Sequence, residues 1–257
     1  MADPQGIVVE HRGRVAVVSI DRPERRNAVD LATAREISAA LDELDERDDL
    51  TVGIITGRGG SFCAGMDLKA LQETGERPID PKRGPFGLCE APPAKPLIAA
   101  VEGAAVGGGC EIALACDLIV AAADAAFGLP EVKRGLVAGA GGVLRLPRRL
   151  PRGIALELAV TGERLEARRA AELGMVNRLA APGQALAAAL ELAESIAANA
   201  PLAVRTSKWV VNASAGWDEG EMFERQAEPV QRVRESADAT EGVQAFLERR
   251  PPRWQGR

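Results

Sequence analysis

Three runs constrain this chain most: residues 50–56 (LTVGIIT), Leu97–Val101 (LIAAV) and Leu118–Ala122 (LIVAA). None alternates apolar with polar, and none carries a charge. A strand with one wet face alternates, so runs of this kind suit strands covered on both faces. The first two lead into glycine-rich turns, at Gly57-Arg58-Gly59-Gly60 and Gly107-Gly108-Gly109, and residues 107–115 follow as a glycine-led helix. Buried strands joined through helices predict an α/β chain with a largely parallel sheet.

The flanking segments extend this pattern. Residues 7–10 and 14–20 are β-branched and extended, and a charged, proline-containing turn follows at Asp21-Arg22-Pro23-Glu24. Asp30 can cap a helix whose apolar positions Leu31, Ala34, Ile37, Leu41 and Leu44 recur at helical spacing. Residues 72–96 lose periodicity and collect prolines and glycines, which predicts a long mobile loop or lid. Helices are expected over 141–150, 153–160, 167–173, 184–198, 202–213, 219–233 and 240–249, with no strand signal after Leu179. The stretch after Pro201 is either a helical appendage for subunit contact or a layer covering its own core.

Composition removes several mechanisms. The chain has 257 residues, one histidine and no tyrosine. His11, expected in a surface turn, would alone have to carry any Ser-His-Asp, Cys-His or HExxH chemistry. Cys63, Cys89, Cys110 and Cys116 form no C-x-x-C pair and lie among apolar or small residues, as reduced buried thiols do. A reducing cytoplasm is therefore expected. The start Met1-Ala2-Asp3-Pro4 has no basic leader, and the apolar stretch 97–123 is interrupted by Glu102, Glu111 and Asp117, so a soluble protein is expected. A net charge of -5 gives no general attraction to nucleic acid or acidic membranes, although Arg145, Arg148, Arg149 and Arg152 cluster.

The glycine loops fail the nucleotide templates. The run Gly60-Ser61-Phe62-Cys63-Ala64-Gly65 continues with Met66-Asp67 where a P-loop needs Lys and Ser or Thr. Phe62 and Ile112 stand where G-x-G-x-x-G would end, and no G-x-S-x-G occurs. What remains is two strand-to-helix turns, each able to present free backbone N–H groups at a helix start. Two such donors on one oxygen make an oxyanion hole, worth roughly 3 to 4 kcal/mol per donor. Glu111 follows the triple glycine in an apolar run, and Glu131 follows Pro130 at a second apparent helix start. Taken singly, each acid is ordinary helix-start chemistry.

Together the segments Phe62-Cys63-Ala64-Gly65-Met66-Asp67-Leu68-Lys69, Gly107-Gly108-Gly109-Cys110-Glu111 and Phe127-Gly128-Leu129-Pro130-Glu131 resemble the three signature segments of the crotonase family, the enoyl-CoA hydratase/isomerases. Arg22-Pro23 with Asn27-Ala28, Gly139-Ala140-Gly141-Gly142, Thr161-Gly162, Gly174-Met175-Val176-Asn177 and Glu241-Gly242 with Phe246 extend the likeness. The resemblance implies an α/β crotonase-type β-β-α superhelix, with a catalytic core over 1–199 and a C-terminal helical trimerisation region over 200–257. A homotrimer or dimer of trimers, an acyl-CoA thioester substrate and a place in fatty acid metabolism come with it. No metal or redox cofactor is implied, coenzyme A entering as part of the substrate.

Carried over by position, the N–H groups of Met66 and Gly108 form the oxyanion hole. Ala64, Asp67 and Leu68 meet the adenine end of CoA, and Arg25, Arg26, Lys69 and Arg249 its phosphates. Glu111 then activates water for C3, and Glu131, kept protonated in an apolar setting, delivers a proton to C2. An enoyl-CoA hydratase is the expectation. A Δ3-Δ2 isomerase needs only one of the acids. Val143-Leu144-Arg145-Leu146-Pro147 and Arg250-Pro251-Pro252-Arg253-Trp254 resemble carnitinyl-CoA dehydratases, whereas an RNA-binding relative would need the arginine cluster and finds no stacking motif.

Overall fold

A computed structural model describes residues 6–257; the start read above, Met1 to Pro4, lies outside the described residues. The chain runs β1 (Ile7–Arg12), β2 (Val15–Ile20), a 3-10 turn (Pro23–Arg25), α1 (Leu31–Glu46), β3 (Val52–Gly57), α2 (Leu68–Thr74), β4 (Ile79–Asp80) and β5 (Gly84–Pro85). It continues through β6 (Leu97–Val101), β7 (Ala104–Val106), α3 (Gly108–Ala115), β8 (Leu118–Ala122), β9 (Ala126–Gly128) and a 3-10 helix (Pro130–Arg134). Then follow α4 (Gly142–Arg149), α5 (Arg152–Thr161), β10 (Arg164–Glu166), α6 (Ala167–Glu172), β11 (Arg178–Ala180) and α7 (Ala185–Ala197). The C-terminal part holds α8 (Pro201–Ser214), a short 3-10 turn (Glu219–Glu221), α9 (Met222–Arg234) and α10 (Ala237–Glu248).

Six strands form one sheet in the order β1-β2-β3-β6-β8-β11, antiparallel only between β1 and β2. The absence of alternation in β3, β6 and β8 follows from two apolar layers. Val15, Val17, Val52, Ile54, Ile98, Ala100 and Val120 face the alanine stripe Ala189 and Ala193 of α7. The intervening Ala16, Val18, Ile55, Ala99, Val101 and Ile119 face the main core, to which α1 adds Ile37, Leu41 and Leu44. Glu102, one of the charges interrupting the apolar stretch, accepts from the Gly183 and Ala185 N–H groups at 3.0 and 2.7 Å and so holds the start of α7.

A second sheet, β10-β9-β7, was not legible as such, because its strands are three residues long. It matters most for the site. β7 and β9 are parallel, with Val106 opposite Gly128, and a bridge between Cys63 and Ala105 brings the segment before Met66 alongside. Three chain segments therefore end side by side.

The segment 72–96, expected to be a long mobile loop or lid, packs against α1. Phe86, Leu88 and Cys89 are buried, and polar groups fasten the rest to α1. Asp80 accepts from the Ser38 hydroxyl at 2.8 Å and from the Lys82 and Arg83 N–H groups at 3.0 and 2.8 Å. Arg83, 5% exposed, meets Asp42 and Asp45 at 2.7 and 3.1 Å. Burial raises the Asp42 carboxyl, but the Lys82 and Arg83 hydrogen bonds outweigh it, leaving it below the usual carboxylate range. Lys95, also buried, donates to the carbonyls of Leu44 and Arg47. His11 likewise departs from expectation: it lies within β1, on the surface 3.5 Å from Glu43, and the turn comes after it.

All four cysteines are free and buried, and burial pushes the Cys63 and Cys110 thiols up to about 12. No single helix among the described residues is long and apolar enough to cross a membrane.

Candidate active site

The site lies where the parallel segments end, the usual place for a ligand in such sheets. Ala64, Met66, Leu68, Gly108, Glu111 and Glu131 line one cavity of about 400 Å³. The cavity falls in the size range of small-molecule sites.

The glycines make the approach possible. Gly65 has φ +92°, and a Cβ on it would sit 2.7 Å from the Gly108 nitrogen. Gly107, at φ +57°, turns the chain beside the Glu131 carboxyl, and its N–H donates to the Gly128 carbonyl at 2.9 Å. A side chain at Gly109 would strike the Cys63 carbonyl oxygen at 2.0 Å. The Gly108 N–H stands in the first turn of α3, where a helix has no internal acceptor. Neither it nor the Met66 N–H has an acceptor among the described residues, although Asp67 next door donates to the Val29 carbonyl. Two free donors from two turns thus face the same cavity.

The two carboxyls differ in their surroundings. Glu111, 3% exposed, accepts from the Gly142 N–H at the start of α4 at 2.9 Å. Its pKa is raised by burial and by the nearby negative charge of Glu131, and the Gly142 bond opposes the rise. Glu131 stands on the 3-10 helix, half-buried, with its Oε2 buried and without a protein partner. Burial raises its pKa too, against a hydrogen bond from its own backbone N–H and the pull of Arg134. A hydrogen bond from an N–H favours a carboxylate, whereas a buried oxygen with no donor favours the neutral acid.

The expected CoA contacts divide. Ala64 and Leu68 line the cavity; Arg25, Arg26, Asp67, Lys69 and Arg249 do not. Asp67, 5% exposed, caps α2 through the Lys69 and Ala70 N–H groups and meets Arg22 and Arg25 at 3.0 and 3.1 Å. Burial raises it, and the Ala70 N–H and the two guanidinium groups overcome that. Lys69 is exposed on α2, and Arg249 is exposed at the end of α10.

Sequence reasoning singled out none of Gly142, Phe86, Arg77 and Arg134, although it gave the segment 72–96, which holds Arg77 and Phe86, a part in shaping the acyl pocket. Gly142 belonged only to a glycine run in the resemblance. Phe86 lies so close that a Cβ on Gly108 would fall 2.1 Å from its ring. Arg134 carried a readable signal: it follows Glu131 by three residues, one turn of a 3-10 helix.

Two acids and two free N–H donors around one cavity define a site for a polarised carbonyl with proton transfer beside it. The enoyl-CoA hydratase/isomerase family model matches residues 10–257. The chain is 42% identical to a carnitinyl-CoA dehydratase of Proteus mirabilis (strain HI4320), covering 98% of this chain and 99% of the relative. It is 40% identical to the enoyl-CoA hydratase EchA19 of Mycobacterium tuberculosis (97% and 96% covered). Among solved structures, an enoyl-CoA hydratase from Mycobacterium tuberculosis H37Rv superposes with TM-score 0.97 at 56% identity, over 99% of this chain and all of that one. A carnitinyl-CoA hydratase from Mycobacterium avium gives 0.79 at 45% identity, with the same coverage. The chain belongs to the enoyl-CoA hydratase/isomerase family and has the crotonase fold with a C-terminal helical region. It is an enzyme of a hydro-lyase family that acts on CoA thioesters.

Proposed function

We propose that this enzyme adds water across the 2,3 double bond of a 2-enoyl-CoA thioester. One observation carries the reading: Glu111 and Glu131 line the same cavity as the unpaired N–H groups of Met66 and Gly108. The two N–H groups accept the thioester oxygen and withdraw electrons from the conjugated system, which makes C3 electrophilic. Glu111, held towards its carboxylate form by Gly142, takes a proton from water as the oxygen bonds to C3. Glu131 gives its proton to C2 as the enolate collapses. The scheme uses no metal or redox cofactor, coenzyme A being part of the substrate.

The CoA phosphates would meet Arg25, Arg26, Lys69 and Arg249 at the rim, with Ala64, Asp67 and Leu68 beside the adenine. The four reduced thiols support a cytoplasmic setting. The 200–257 region carries exposed Phe223, Val243, Phe246 and Leu247, which supports its use as the association surface of a homotrimer or dimer of trimers.

The test is the loss of enoyl-thioester ultraviolet absorbance with crotonyl-CoA. Glu111→Gln and Glu131→Gln should each lower kcat by at least roughly 10²-fold. Full activity in either variant sinks the two-acid scheme.

A further inference from the structure

The cavity holds two cations that the proposed hydration does not use. Arg77, between α2 and β4, and Arg134, at the end of the 3-10 helix, both line it, and both are exposed to solvent. Most arginines near the site are already engaged. Arg22 and Arg25 hold Asp67, Arg83 holds Asp42 and Asp45, and Arg145 donates to the Cys89 and Ala140 carbonyls. Lys133, next to Arg134, is tied to Glu163 at 2.6 Å. The guanidinium groups of Arg77 and Arg134 meet no carboxylate within 4 Å among the described residues.

Residues three apart on a 3-10 helix eclipse, so Arg134 stands on the same side of its helix as Glu131. In the hydratase reading the thioester oxygen lies at Met66 and Gly108, and C2 and C3 lie between the glutamates. The acyl atoms beyond C3 then lie in the same cavity, whose wall Arg77 and Arg134 share. A guanidinium has a planar fork of donors that matches a carboxylate, and two of them make a poor neighbour for a cation.

We propose that Arg77 and Arg134 form an anion-binding end of the acyl pocket, and that the substrate is a 2-enoyl-CoA whose acyl chain ends in a carboxylate. This rests on the hydratase reading for placing the acyl chain in this cavity. It also separates this enzyme from the relatives named for carnitinyl-CoA, because a carnitinyl group carries a quaternary ammonium, the opposite charge at the same end.

The first test is binding without turnover. Calorimetric titration with the saturated glutaryl-CoA and butyryl-CoA should show glutaryl-CoA binding roughly tenfold or more tightly, as hydrogen bonds between charged groups give. That advantage should persist with the corresponding pantetheine thioesters, which lack the nucleotide phosphates, and should disappear in Arg77→Gln and Arg134→Gln. Equal binding of the two ligands overturns the proposal. So does an equal weakening of both CoA ligands in the variants with no effect on the pantetheine thioesters, because the arginines would then serve the CoA phosphates.

The second test is turnover. The kcat/KM for glutaconyl-CoA should exceed that for neutral crotonyl-CoA and for cationic crotonobetainyl-CoA, and the glutaconyl-to-crotonyl ratio should fall about tenfold or more in each variant. A ratio unchanged by both substitutions overturns the anion site. Preferential binding of glutaryl-CoA with no hydration of any enoyl-CoA leaves the anion site standing and removes the hydratase reading.

Discussion

At the scale of single residues, the site is defined less by which acids it holds than by what each acid touches. Glu111 and Glu131 are the same side chain, but one has the Gly142 N–H at 2.9 Å and the other a buried oxygen with no donor. A Cβ on Gly142 would lie 3.1 Å from the Glu111 Cγ and 3.0 Å from Leu129. Gly142→Ala should therefore push Glu111 off its donor and lower kcat by about tenfold or more, measured with crotonyl-CoA. The pH dependence follows from the raised pKa values. Activity should fall at low pH as Glu111 protonates and at high pH as Glu131 ionises, the two limbs belonging to the coupled pair. Stability takes the opposite sign from that of a paired carboxylate: the native state binds more protons than the unfolded chain, so it loses stability as pH rises from the ordinary glutamate range through the raised value. Glu131→Gln removes that loss, and its Tm should exceed that of the unsubstituted enzyme at neutral pH while the two converge in acid. A lower Tm for the variant at neutral pH would contradict this.

At the scale of elements, periodicity revealed the parts in which burial has a local pattern. The buried strands β3, β6 and β8, the Asp30-capped α1 and the glycine-led α3 were all legible, and so was the pairing of Glu111 and Glu131 with the two glycine turns. The short strands β7 and β9 were not, because three residues show no period, and they are what brings those turns together. The segment 72–96 misled for another reason. Its anchors are charges, Asp80, Arg83 and Lys95, whose partners lie about 40 to 50 residues away on or beside α1. A pattern reading assigns such side chains to solvent. Removing Arg83 should show the difference: Arg83→Ala leaves Asp42 and Asp45 partly buried without their shared cation, at a cost of about 3 kcal/mol in chemical unfolding. Hydrogen exchange should rise across 72–96, with Phe86 losing its place against Gly108 and KM rising in consequence. A variant of unchanged stability would mean that the segment is held by Phe86, Leu88 and Cys89 alone. The C-terminal tail is fastened in the same manner. Glu241 receives Arg250 and the Arg253 N–H, which hold its carboxyl at about 2. That contribution is present above the ordinary glutamate pKa and is lost as pH falls through about 2.

At the scale of the whole molecule, two groups of exposed apolar residues bear on association. One lies on the C-terminal helices, with Phe246 83% and Leu247 74% exposed beside Val243 and Phe223. The other lies on α5 and the 3-10 helix, with Leu156 and Val160 beside Val132, and these border an apolar groove of about 450 Å³ that Glu131 also lines. Two different apolar surfaces on one chain suit head-to-tail association, in which the C-terminal face of one copy meets the α5 face of the next and the ring closes. Closure would bury the groove behind Glu131, keep water from it and reinforce the burial that raises the pKa of this carboxyl. If the proposed trimer forms through these faces, Phe246→Asp with Leu247→Asp should convert it to monomers in sedimentation equilibrium, and Leu156→Asp should do the same from the other side. The monomers should show a lower alkaline limit of activity, because Glu131 would ionise earlier in a wetter setting. If only the C-terminal substitutions dissociate the protein, the contact joins like faces and the α5 groove stays open to solvent. If neither set does, the exposed C-terminal helices are not the surface that brings copies together.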